Sequence, residues 1–231
     1  MTGSQKRTRG ANTAADRLLD GVREFQEHVY PERRKEFEKL AEGQHPGTLF
    51  ITCADSRVVP EMITQTDPGD LFVCRNIGNV VPSYGEMLGG VSAVVEYAVM
   101  ALGVKNIVVC GHSDCGAMKA LLRDNDPALA AMPTVRSWLR NAQAARSIVE
   151  ATRGDLQEDE KLEALVEQNV LLQMQHLSTH PSVAAALATG TVAVHGWVYD
   201  IRNGEVRSYR AERSRFDSLI ERTPAKARKT A

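Results

Sequence analysis

The sequence predicts an α/β fold: a mostly parallel central sheet flanked by helices, with an N-terminal helical arm and a C-terminal hairpin extension. Three observations carry this. Short apolar runs at 48–53, 71–76, 105–111 and 191–200 are separated by segments of helical period, the alternation expected of right-handed βαβ units. The first run, TLFITC, reads as a buried strand. Asn203-Gly204 then separates TVAVHGWVYD from EVRSYR, a hairpin signal that closes the sheet with an antiparallel strand.

In chain order, residues 1–12 are polar and basic, which predicts a disordered tail. Residues 13–42 form the helical arm. Its apolar positions are Leu18, Leu19, Val22, Phe25 and Val29; Pro31 breaks the pattern, which resumes through Phe37, Leu40 and Ala41. The catalytic α/β domain spans 43–210. It opens on the loop GQHPG, followed by the strand at 48–53, a short helix at 59–66 and the strand at 71–76. A buried helix at 88–102 ends at Gly103 and leads to the strand KNIVVCG. Helices are predicted at 115–123, 134–152, 158–178 and 181–188, before the strand at 191–200. Residues 211–231 turn polar and basic again and read as a tail.

A chain of 231 residues is long enough to bury a sizeable core. Lys+Arg total 28 against 29 Asp+Glu, so no bulk charge draws the protein to nucleic acid or to an anionic membrane. The longest apolar stretches fall short of a membrane span, and the first residues lack the apolar core of a signal peptide. The expected location is the cytoplasm. There the four cysteines, Cys53, Cys74, Cys110 and Cys115, suit metal binding or catalysis better than disulfides.

Two stretches concentrate the chemistry. FITCADSRVVPE at 50–61 ends an apolar strand on Cys53, with Asp55 and Arg57 at alternate positions; IVVCGHSDCG at 107–116 ends another on His112 and Cys115. Ligand sites in open α/β sheets gather beyond the carboxyl ends of strands, so the two segments, distant in sequence, are expected to converge. Two thiolates and an imidazole suit a tetrahedral zinc ion and leave a fourth position for solvent, the pattern of a catalytic site. Cys74 and Cys110 lie inside apolar runs and are expected to be core thiols. In extended backbone 53, 55 and 57 project to one side. Asp55 would then reach the metal or its water, gripped by Arg57 through a charge-assisted hydrogen bond. His195 is expected to be structural, and Trp197 and Tyr199 to pack. Asn76 and Asn79 would shape a turn around Gly78. Arg75 suits a subunit contact or a solvated face. No P-loop or dinucleotide fingerprint is present.

CADSR at 53–57 with HSDCG at 112–116 resembles the β-class carbonic anhydrases. The likeness runs from about residue 15 to about residue 210 and includes PGDLFVCRNIGNVVP, GGVSAVVEYAV and HGWVYDIRNGEV. It is nearest to the plant-like branch that holds the bacterial cyanate-operon enzymes. The resemblance implies one Zn2+ per chain on Cys53, His112 and Cys115, with Asp55 and Arg57 as a catalytic dyad. It implies a substrate pocket of Gln44, Phe72, Ile77, Tyr97 and Gly116. The activity implied is reversible hydration of carbon dioxide to bicarbonate and a proton, by attack of zinc-bound hydroxide. In some members the aspartate swings in as a fourth ligand, and Asp55 could act so. The implied unit is a homodimer, or a tetramer or octamer built from it, whose active sites borrow residues from both chains. A bicarbonate regulatory site of the other bacterial branch needs a tryptophan upstream of the first zinc cysteine, and none precedes Trp138 here. Two rivals share the scaffold: a hydrolase of carbonyl sulfide or carbon disulfide, and a non-catalytic zinc-stabilised oligomer.

Overall fold

The computed structural model describes residues 13–85, 89–123 and 127–220. The predicted tail at 1–12 and the end of the C-terminal tail lie outside these residues. The chain divides into two compact units, Met1–Gln44 and His45–Ala231.

In the first unit, helix α1 (Ala14–Glu24) starts at a capping box. The Thr13 hydroxyl accepts from the Asp16 amide, and the Asp16 carboxylate accepts from the Thr13 amide. Pro31 lacks the N–H that would close a helical turn onto Glu27. Instead of breaking, the helix widens into one π turn at Phe25–Val29, with the Tyr30 N–H reaching back to the Phe25 carbonyl. Short α2 (Tyr30–Glu32) carries Pro31 in its first turn, where no donor is required. α3 (Arg34–Ala41) completes the arm. Phe25, Tyr30 and Phe37 pack as a trio with ring centroids 5.2–6.1 Å apart.

The second unit is built on six strands in the order β2-β1-β3-β4-β5-β6. They are β1 (Thr48–Cys53), β2 (Leu71–Asn76), β3 (Asn106–His112), β4 (Ala193–Tyr199), β5 (Val206–Arg210) and β6 (Arg215–Ser218). The first four run parallel and the last two antiparallel. β1 lies between β2 and β3, so successive connections leave it in opposite directions. That reversal opens the crevice at the carboxyl ends where α/β proteins place ligands. β6 was not foreseen. It lies in the stretch read as a tail, and its four residues, RFDS, offer only Phe216 to the core.

Leu49, Phe50, Ile51 and Thr52 are fully buried, because helices cover one face of the sheet and an aromatic-rich cluster the other. Phe50, Val108 and Cys110 meet Trp197 and Tyr199 on that second face. The remaining helices are α4 (Pro60–Thr64), α5 (Gly90–Met100), α6 (Gly116–Leu122), α7 (Pro127–Ala130), α8 (Pro133–Leu139), α9 (Gln143–Arg153), α10 (Glu158–Leu177) and α11 (Pro181–Ala188). The single helix expected at 134–152 is two, α8 and α9, joined by a 3₁₀ turn at Arg140–Ala142. α10 packs across β3 and β4. It comes so close that a Cβ on Gly111 would lie 2.9 Å from a Val170 methyl and 3.1 Å from one of Val166. Glycine at 111 therefore sets the distance between α10 and the strand that delivers His112. Among the described residues, no helix is long and apolar enough to cross a membrane.

Candidate metal centre

β1 ends on Cys53, whose register partner on β2 is Asn76. The ladder runs one bond further, from the Ala54 amide to the Asn76 carbonyl (2.8 Å). The backbone then turns. The Asp55 carbonyl accepts from the Val58 amide (3.0 Å), and Asp55 Oδ1 accepts from the Arg57 amide (2.9 Å). The expected extended alternation of 53, 55 and 57 is thus replaced by an Asx turn, which brings Asp55 and Arg57 together through local hydrogen bonding. The pairing itself is as expected: Arg57 Nε donates to Asp55 Oδ1 (2.9 Å) and Nη2 to Oδ2 (2.8 Å). This two-pronged grip holds the Asp55 carboxyl well below the usual carboxylate range. Both carboxylate oxygens are engaged by Arg57.

β3 ends on His112. The imidazole Nδ1 lies 2.8 Å from the Ser113 carbonyl. Only a protonated Nδ1 can bond there, so Nε2 carries the lone pair. The ring is fully buried, yet Nε2 has no hydrogen-bond partner. A buried polar atom left without a partner calls for an explanation. The explanation lies in front of it: Nε2 and the Sγ atoms of Cys53 and Cys115 all lie within 4.8 Å of one another. Zinc bonds of ~2.3 Å to sulfur and ~2.0–2.1 Å to nitrogen give tetrahedral edges of about 3.6–3.8 Å, so small adjustments close the three donors around one ion. Among the described residues this is the one His/Cys/Asp/Glu group arranged to hold a metal.

The thiols agree with that reading. Without a metal, Cys53 is pulled towards thiolate, chiefly by a hydrogen bond from the Cys115 thiol, with help from the Gly78 amide. Cys115 is pushed the other way: its thiol proton is held in the hydrogen bond to Cys53, burial disfavours its thiolate, and that thiolate would set a second negative charge against the first. The pair therefore gives up one proton easily and the second with difficulty. A dication placed between them removes the difficulty. Cys74 and Cys110 are buried core thiols, as expected, and burial pushes Cys110 up to about 12.

Several residues that shape the centre were not identified from sequence. Asp114, in the left-handed region at φ 59°, joins the two ligand segments: Arg57 Nη1 donates to its Oδ2 (2.9 Å), and Lys119 bonds its other oxygen. Arg75 is exposed, and its guanidinium donates to the carbonyls of Cys53 (3.3 Å) and Asp55 (2.7 Å). The Gly78 amide lies 3.4 Å from Cys53 Sγ. The segment Ile77–Asn79 is fixed from above by the Trp138 indole N–H on the Ile77 carbonyl (2.8 Å) and from behind by Asn169 Nδ2 on the Gly78 carbonyl (3.0 Å). Gln173 Nε2 in turn donates to Asn169 Oδ1 (2.9 Å), and Gln173 Oε1 accepts from the Val81 amide (2.8 Å). Asn76 brackets Val80, donating to its carbonyl and accepting from its amide, as the expected turn requires. His195 bonds Asn106 between β4 and β3, a structural role as expected.

The predicted substrate residues fall into three groups. Ile77 is 42% exposed beside Gly78, and Gly116 follows Cys115 at the start of α6 with open space before it. Phe72 and Tyr97 pack on each other with centroids 5.9 Å apart. Phe72 is opposite Leu49, four residues before Cys53, or ~13 Å along the strand at about 3.3 Å per residue. Gln44 ends the first unit.

The comparisons with known proteins follow the same pattern. The family model described as carbonic anhydrase matches residues 48–206, which contain all three metal donors. A carbonic anhydrase of Pseudomonas aeruginosa is 50% identical over 210 residues, 91% of this chain and 94% of that protein. Carbonic anhydrase 1 of Escherichia coli O157:H7 is 50% identical over 203 residues, 87% of this chain and 91% of its own. Among solved structures, the β-carbonic anhydrase CcaA superposes with a TM-score of 0.87 at 42% identity, covering 90% of this chain and 93% of that one. The chain belongs to the β-class carbonic anhydrases. Carbonic anhydrase activity, reversible hydration of carbon dioxide, follows from that membership, and zinc is the metal that β-carbonic anhydrases use. The β-carbonic anhydrase of Coccomyxa, solved with acetazolamide, has a TM-score of 0.74 at 33% identity, covering 85% of this chain and 86% of its own.

Proposed function

We propose that Asp55 and Arg57 are the catalytic dyad of this carbonic anhydrase, and that its substrate pocket is completed by a second copy of the chain. The observation that carries the first part is the place of Asp55: its Oδ2 lies 3.9 Å from the orphaned His112 Nε2, beside the three donors, with its ionised form secured by Arg57. Zinc held by Cys53, His112 and Cys115 would supply the Lewis acidity that turns water into a nucleophile. An ionised carboxylate is an acceptor only. Asp55 therefore holds the O–H proton of the nucleophile, which aims an oxygen lone pair at the substrate and excludes other orientations. Arg57 keeps the carboxylate ionised and fixed. Carbon dioxide has weak hydrogen-bonding power, so an exposed apolar side chain such as Ile77 suits it, while Gly116 leaves room beside Cys115.

Phe72 and Tyr97 lie away from this chain's own metal donors, and Tyr97 is half exposed on α5 with Phe72 at its side. On this reading Phe72 and Tyr97 serve the site of a second copy, and Gln44 is a hydrogen-bonding side chain for the substrate. The unit proposed is a homodimer, or a tetramer or octamer of dimers, in the cytoplasm; two β-carbonic anhydrases of Sordaria macrospora are described as tetrameric. Kinship with the plant-like branch belongs to the same reading.

The test is stopped-flow carbon dioxide hydration by the wild type and Asp55→Asn at matched zinc content. The amide keeps the shape but can present its N–H₂ to the nucleophile, so kcat/KM should fall by roughly 10²-fold, the low end for a positioned proton-handling group. An Asp55→Asn protein as active as the wild type would remove Asp55 from the reaction. Light scattering of the eluting protein tests the assembly; a monomer with full activity would refute the shared pocket.

A further inference from the structure

The peptide between Ile77 and Gly78 is held at both ends. Its carbonyl accepts from Trp138 Nε1 at 2.8 Å, and its N–H donates to Cys53 Sγ at 3.4 Å. A peptide is planar, with C=O and N–H pointing in opposite directions, so one rigid unit links the indole to the metal-ligand sulfur. We propose that Trp138 is a positioning residue for the metal centre: its indole N–H clamps and polarises the Ile77–Gly78 peptide, whose amide tempers the electron donation of Cys53 to the metal. This rests on Cys53 being a zinc ligand.

The surroundings give the clamp a definite target. Gly78 has φ +77°, and a Cβ there would lie 3.0 Å from Ala117 Cβ and 3.1 Å from Met118 Cε. The segment is pressed against α6, the helix that Cys115 caps, and a side chain at 78 would combine a positive φ with that close contact. The buried Asn169 and Gln173 fix the next peptide, through the Gly78 carbonyl. Trp138 alone among these groups bonds the peptide whose amide faces sulfur. A hydrogen bond to a carbonyl polarises the N–H of the same peptide and strengthens its donation. An N–H pointing at a thiolate withdraws charge from it and so sets how strongly the metal is neutralised. Hydrogen bonds to ligands from outside the coordination sphere act in this way in metal sites generally. Core packing alone would account for the ring of Trp138, which lies against the main apolar cluster; the effect of the N–H has to be separated from it.

The experiment uses the full chain loaded with cobalt(II) in place of zinc and reads the thiolate-to-metal charge-transfer absorption in the near ultraviolet. Zinc affinity is read in parallel by competition with a chromophoric chelator. Trp138→Phe keeps an aromatic ring and removes the N–H. The band should move to longer wavelength, because a less tempered thiolate gives up its electron more easily. Zinc affinity should change by about 3–10-fold, below the 10–100-fold seen when a direct partner of a ligand is removed. The pH profile of carbon dioxide hydration should move to higher pH. Val135→Ala, which loosens the same helix without touching the hydrogen bond, should leave the band in place. A Trp138→Phe band and affinity equal to those of the wild type, or an equal shift in Val135→Ala, overturns the proposal. Should Trp138→Phe not fold, benzothienylalanine at that one position keeps the indole shape with sulfur in place of N–H, and the same readouts apply. A Cys53→Ser protein whose thiolate band is as intense as that of the wild type would instead refute the ligation by Cys53, so the two failures are distinguishable.

Discussion

Gly111→Ala is the most direct probe of how the fold delivers His112. The new methyl would sit 2.9 Å from Val170 Cγ2 and 3.1 Å from Val166 Cγ1, whereas carbon atoms rest at about 3.5–4.0 Å. A gap of roughly 0.5–1 Å must therefore open between β3 and α10. Neither partner yields easily: both valines are stiff at χ1, and β3 is paired to β1 on one side and β4 on the other. Overpacking of this kind costs about 1–3 kcal/mol, which for a domain of this size is a fall in Tm of about 2–4 °C for each kcal/mol. Gly47→Ala is the control, since a Cβ there meets nothing within 4 Å. Calorimetry of both variants at equal zinc content gives the comparison, and chelator competition shows whether displacement of His112 weakens metal binding. Gly111→Ala should lose several degrees and bind zinc less tightly, with Gly47→Ala near the wild type. A Gly111→Ala protein as stable as the control would refute the claim that this contact sets the spacing.

Two further outcomes are expected. Asp114→Asn removes the carboxylate that holds Arg57 Nη1 from the second ligand segment; because the pair is half exposed, stability should change by no more than about 1 kcal/mol, while kcat/KM should drop roughly tenfold as Arg57 and Asp55 lose alignment. The Asp55 and Asp114 carboxyls are both held low, by Arg57 and by Lys119 with Arg57 respectively. Their pairing therefore stabilises the fold fully above the ordinary carboxylate value near 3.9 and loses that contribution as pH falls through the lowered folded values. Urea midpoints of chelator-treated protein should decline below about pH 4, and less steeply in Asp114→Asn. In the neutral range, two thiolates offset the charge of a dication that three imidazoles would leave in place, so water at the site should be less acidic than the value of about 7 known for three-histidine zinc. Stopped-flow rates should rise on the alkaline side of neutrality, and a flat profile from mildly acidic to alkaline pH would contradict this charge argument.

The parts of the molecule that were legible in the sequence are those where local chemistry and global position agree. Thr48–Cys53 and Leu71–Asn76 are strands with the predicted bounds, because an apolar run between turn residues has few other fates in an α/β chain. The three metal donors were legible for a related reason: thiols and an imidazole at the ends of buried strands have little to do there except bind a metal. Where several physical solutions satisfy one pattern, the reading failed. Asp55 and Arg57 were paired correctly but for the wrong geometric reason, since an Asx turn and an extended strand both bring residues i and i+2 together. Pro31 could end a helix or widen it, and the chain widens it. Asp114, Arg75 and Trp138 bond backbone carbonyls or side chains far away in sequence, and spacing carries no trace of that. Asn169 and Gln173 did leave a signal, two amides one turn apart on the otherwise apolar buried face of α10. Buried amides at that spacing imply a partner, here the loop beside Cys53.

X-ray absorption at the zinc edge of the protein as purified measures the central claim. The account predicts two sulfur neighbours at about 2.3 Å, with one imidazole nitrogen and one further light atom at about 2.0 Å, the last exchanging with solvent. A third sulfur, or a second imidazole in place of the exchangeable atom, would contradict it.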